Sequence, residues 1–128
     1  MKELFEKYNI KLDIDTIINN PDPYTHHLDL YEVQNEVSRL ILQLEYLKLL
    51  EKQKTAEIYL RFKDSDMKIT EKYIESQVNT SEEIRDLRNK IVELDTLVKY
   101  LLGIIRILEN KTVINNSLLA DRRKGILE

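Results

Sequence analysis

At 128 residues, with 42% apolar and 34% charged side chains, the chain has room for one helical domain and not for two independent cores. A formal charge of -3 excludes a protein that coats duplex DNA by bulk positive charge, though not a local basic face, and the absence of cysteine excludes disulfides and thiolate metal sites. The start MKELFEKYNIKLD lacks the apolar stretch of a signal peptide. The longest apolar run, near Leu101 to Leu108, is shorter than the roughly 20 residues a bilayer demands, so a soluble, intracellular protein without a membrane is expected.

Residues 1–24 form an N-terminal element, a short helix interrupted at NPDP, where each proline disfavours helix in the residue before it. His26 and His27 follow, adjacent and without a third ligand, which predicts a solvated loop or helix start and no zinc. Val33, Val37, Leu40, Leu44 and Leu47 then recur at spacings of three and four, continue through Glu51 and Lys54 and recover at Ile58. They predict a long helix over 29–63. The polar stretch KDSDMKITEKYIESQVN has no strong breaker and predicts a short helical turn after Thr70.

Thr80 followed by Glu83 fits a capping box, and Ile84, Leu87, Ile91, Leu94, Val98, Leu101, Ile105 and Leu108 form a heptad seam, predicting a second long helix over 81–110. Residues 112–128, with Val113, Ile114, Leu118 and Leu119, read as a short C-terminal element. The expected fold is all-α and a single domain over 1–128: a long antiparallel hairpin over 29–110 with short N- and C-terminal helices packed on it.

A two-helix hairpin buries one stripe per helix, yet the chain around Leu101 to Leu108 is apolar nearly all round. The surplus at Leu97, Leu101, Leu102, Ile104, Ile105 and Leu108 predicts a subunit interface and a homo-oligomer.

No GxxxxGK[ST], GxGxxG or GxSxG is present, and the carboxylates are scattered among lysines, so no enzyme, catalytic residue, metal or cofactor is expected. The stretch from Ala56 to Tyr73 differs. Tyr59, Phe62 and Tyr73 alternate there with Arg61, Lys63, Lys68 and Lys72, and Arg85 and Arg88 open the next helix; cations beside rings can hold phosphates and stack unpaired bases. Asp64, Asp66, Glu71 and Glu75 share the segment, so an ordinary solvated hairpin tip stands as the alternative.

From LRFKDSDMKITEKYIESQVN through ENKTVINN to DRRKG the chain resembles the phage recombination mediators of the UvsY type, and LDIDTIINNPDPY is similar to that family's short N-terminal element. The resemblance implies a non-enzymatic protein that binds single-stranded DNA, closes into a ring-like homo-oligomer, and helps load a RecA-like recombinase onto DNA covered by single-strand-binding protein, in the cytoplasm of an infected bacterial host. It adds Lys111 to the DNA-binding residues. Tyr59, Asn115 and Asn116 depart from the family's pattern. A structural adaptor, a coiled coil that recruits a partner helix and ignores nucleic acid, is the competing expectation.

Overall fold

The computed structural model describes residues 1–63 and 69–127; Lys68, one of the expected DNA-binding residues, lies outside them. All regular structure among the described residues is helical: α1 (Lys2–Lys7), α2 (Ile14–Ile18), α3 (His26–Lys63), α4 (Glu71–Thr80) and α5 (Glu82–Leu127). The long pair α3 and α5 contributes to two compact units, one of Met1–Arg39 with Leu97–Glu128, the other of Leu40–Thr96.

The N-terminal element is two helices, and the break between them comes well before NPDP. Asn9 adopts a left-handed φ of 60°, and the Ile10 amide closes back on the Phe5 carbonyl at 2.8 Å, which ends α1. Asparagine tolerates that conformation better than most residues. Asp13 then caps α2, accepting from the Thr16 amide at 3.2 Å and from its hydroxyl at 2.8 Å. These two bonds hold the Asp13 carboxyl below the usual carboxylate range. A group with a lowered folded pKa stabilises the fold at neutral pH and loses that contribution as pH falls through the lowered value. The protection of the Thr16 amide, corrected for the intrinsic exchange rate at each pH, should therefore fall in acid, and Asp13→Asn should flatten that dependence in hydrogen-exchange measurements.

At NPDP the turn is held by side chains. Asn20 accepts from the Asp22 amide at 3.1 Å and donates to Asp29 at 2.7 Å, while Asp22 accepts from the Tyr24 amide at 2.9 Å. The chain then enters α3 at His26, which is buried, contrary to the solvated position expected for it; His27 is exposed. The His26 Nε2 lies 2.7 Å from both the Leu108 carbonyl and the Thr112 hydroxyl oxygen, so a proton on Nε2 ties the start of α3 to α5.

Within this first unit Tyr8, Ile10, Ile17, Val33 and Val37 share a core with Leu97, Val98, Leu101, Ile104, Ile105 and Leu108. The Phe5 and Tyr100 rings meet edge to face at 6.0 Å. This corrects the expected subunit interface. Leu97, Leu101, Ile104, Ile105 and Leu108 are buried inside the single chain, and of the six residues only Leu102 is exposed, at 41%. One helix partner covers one stripe of α5; the N-terminal segment supplies the second cover that sequence reading assigned to other subunits.

In the second unit Leu40, Leu44, Ile74, Val78, Ile84, Leu87 and Leu94 are buried. Arg88 donates to Glu51 at 2.8 Å, and Lys54 pairs with Glu83 at 3.2 Å, so the α3 contacts advance as the α5 contacts retreat. Glu51 and Lys54 are the two polar positions that interrupt the first seam. Each meets an opposite charge across the helix pair. The bond to Glu83, aided by Glu57, raises the Lys54 pKa above the ordinary lysine value.

Thr70 caps α4, accepting from the Tyr73 amide at 3.3 Å, as a helical turn after Thr70 requires, but the helix continues to Thr80. The cap of α5 is Ser81 and not Thr80: the Ile84 amide lies 3.4 Å from the Ser81 hydroxyl, while the Thr80 hydroxyl donates back to the Ser76 carbonyl at 2.8 Å. The boundary expected between 110 and 112 is absent, and α5 runs through ENKTVINN. No glycine or proline stands there to stop it.

Gly103 sits mid-helix and exposed, and a Cβ placed on it would meet nothing within 4 Å. Gly103→Ala should raise the unfolding free energy by about 0.5–1 kcal/mol, because alanine has the better helix propensity. Urea denaturation checks it.

Candidate functional site

Where α3 nears its end it leaves an open groove in the second unit, with a volume of about 1280 Å³. Leu49, Ala56 and Leu60 of α3, with Ile69 and with Ile74 of α4, supply its apolar lining. Its charged lining is mixed. Lys48, Lys52, Lys63 and Arg88 stand against Glu45, Glu51 and Glu71, four cations to three carboxylates. Two of these cations already have partners, since Arg88 is bonded to Glu51 and Lys48 lies 3.4 Å from Glu45. Lys52 and Lys63 bring most of the groove's excess positive charge.

Tyr59 lies in the same groove, half-buried. Its position follows from helix geometry, since Lys52, Tyr59 and Lys63 are seven and four residues apart and so fall on one face of α3. Lys48 lies four residues before Lys52 on that face. Neither Lys48 nor Lys52 was legible as a site residue, because they precede Tyr59 by about three and two turns; their spacing to Tyr59 and Lys63 is the signal that finds them.

The structure thus brings together three of the expected DNA-binding residues, Tyr59, Lys63 and Arg88. Phe62 points elsewhere, packing edge to face on Tyr73 at 5.5 Å. That contact helps hold the end of α3 to α4 and leaves the Phe62 ring half-buried. Arg61, Lys72 and Arg85 are exposed but do not line the groove. Lys111 is a correction: it belongs to the first unit, where its ammonium donates to the Ile18 carbonyl at 3.2 Å and also to the Asn20 carbonyl. A cation on the last carbonyls of a helix satisfies groups that the helix itself leaves open. Lys111 closes α2 and is not offered to a phosphate.

No family model, curated protein or solved structure matches the chain. The groove therefore has to be read from its chemistry. Among the described residues no cluster of three or more histidines, aspartates or glutamates is placed to hold a metal, and no helix is long and apolar enough to cross a membrane. What the groove offers is one aromatic ring, a row of ammonium groups along a helix with carboxylates between them, and an apolar floor. Such a surface can hold a flexible anionic chain by charge and stacking.

Proposed function

We propose that the protein is a non-enzymatic single-strand-binding protein of the recombination-mediator kind, which positions single-stranded DNA along the α3 groove so that a RecA-like recombinase can displace single-strand-binding protein from it. The observation that carries this reading is the placement of Tyr59 and Lys63 in one open groove with Lys48 and Lys52. The likeness of Leu60 to Gly125 to mediators of the UvsY type supplies the recombinase and the phage setting. Mechanistically the protein makes and breaks no bonds. Ammonium groups track phosphates while the Tyr59 ring offers a face to a base, and several weak sites held on one assembly bind a long strand far better than one does.

A second reading has its own observation. The floor of Leu49, Ala56, Leu60, Ile69 and Ile74 is apolar along several helical turns, as a groove that receives an amphipathic helix would be. In that case the protein is an adaptor and the cations only keep the rim wet.

Fluorescence anisotropy with a labelled oligothymidylate across a salt series separates the two. The mediator reading expects saturable binding at low salt, with the logarithm of affinity falling linearly with the logarithm of salt concentration. Absence of binding at the lowest salt gives the groove to the adaptor. A loading assay then asks whether the protein shortens the lag of a RecA-like recombinase on strands covered by single-strand-binding protein.

A further inference from the structure

Two of the three carboxylates in the α3 groove are already engaged. Glu51 accepts from Arg88 at 2.8 Å, and Glu45 lies 3.4 Å from Lys48. Glu71 differs: it is exposed, lines the groove, and pairs with no cation among the described residues. The Thr70 cap makes Glu71 the first residue of α4. Ile74, three residues on and so on the same face of the helix, is buried and lines the groove as well, which turns that face of α4 toward α3. The contact of Phe62 with Tyr73 at 5.5 Å sets the end of α3 against the first turns of α4. Glu71 therefore shares one end of the groove with Tyr59 and Lys63.

A carboxylate is the wrong group for a surface that only tracks phosphates, because like charges repel. It is the right group for the edge of a base. We infer that Glu71 reads bases: it accepts hydrogen bonds from the amino group of a base stacked on Tyr59 while Lys63 holds a neighbouring phosphate, so the groove takes amino-bearing bases in preference to thymine. This inference rests on the single-strand reading of the groove and adds to it which bases are favoured.

The selectivity follows from the donors on each base. Unpaired cytosine and adenine present an amino group on the Watson–Crick edge, and guanine presents two adjacent N–H donors that match the two oxygens of a carboxylate. Thymine presents a single N–H between two carbonyl oxygens. Those oxygens face Glu71 as acceptor against acceptor, with no proton between them. Stacking on Tyr59 cannot supply the difference, since every base has a π-face. Phosphate contacts position the strand, and the edge contact discriminates.

The test is an anisotropy competition on the full chain at low salt and mildly alkaline pH, where cytosine is unprotonated, between oligodeoxycytidylate and oligothymidylate of equal length. The wild type should bind the cytidylate strand about fivefold more tightly, the low end for a base edge met at an open site. Glu71→Gln should bring the ratio toward one and raise the affinity for oligothymidylate, because the amide carries no charge to repel phosphate and its amino group can donate to thymine. Were Glu71 present only to suit the α4 dipole, the substitution would leave the ratio where it was. Equal wild-type affinity for the two strands overturns base reading and leaves single-strand binding intact. A cytidylate preference that survives unchanged in Glu71→Gln removes the assignment to Glu71. Binding of neither strand overturns the single-strand reading, and this inference with it.

Discussion

Leu101→Ala is expected to lower the unfolding free energy by about 2–5 kcal/mol, the range for emptying a leucine site in a core that cannot collapse around it. Leu101 is fully buried, in a core made by α5, α3 and the residues around α1 and α2. The loss should therefore be the same at any protein concentration. Had Leu101 faced another subunit, its removal would act on association, and the difference from the wild type would change with dilution. Leu102→Ala is the companion measurement: at 41% exposure it should cost well under half as much. Equal costs at the two positions would mean that Leu102 too is covered in solution.

Reversing charge in the groove with Lys48→Glu and Lys63→Glu together should weaken single-strand binding about tenfold or more at low salt. It should also flatten the salt dependence by about 1.4 in the slope, since each phosphate contact on a single strand contributes roughly 0.7. Both side chains are exposed, so melting temperature should hold. The matched control is Lys111→Met. Lys111 closes the carbonyl end of α2 in the other unit, and its loss should loosen the N-terminal segment while the slope stays at the wild-type value. A Lys111 variant that flattens the slope as much as the groove variant would place the strand along the first unit.

The two long helices were legible in the sequence because a stripe at three-and-four spacing is a local property: whatever covers it, the residues of that stripe must share a side of a helix. The capping of α4 by Thr70 is local in the same sense, since a cap is chosen by the few residues around it. Where local signals competed, they misled. Thr80 and Ser81 both carry a hydroxyl suited to capping, and the choice between them fell to Ser81 because Thr80 ends α4.

What covers a stripe is decided by contacts between residues far apart in the chain. The sequence showed that α5 has more apolar surface near Leu101 than one helix partner can bury. It did not show that Tyr8, Ile10 and Ile17, scattered among charged residues, complete that core, because α1 and α2 are too short to display a periodicity. His26 is the clearest case. Beside His27, ahead of a helix, it has the sequence setting of a solvated residue, and it is buried because the Leu108 carbonyl and the Thr112 hydroxyl, more than 80 residues later, lie where its Nε2 can reach both. The same holds for the groove. Aromatic and basic residue types near Tyr59 were visible in order, but Phe62 turned to Tyr73 and Lys111 to the end of α2, since each side chain goes to whichever partner tertiary packing brings within reach.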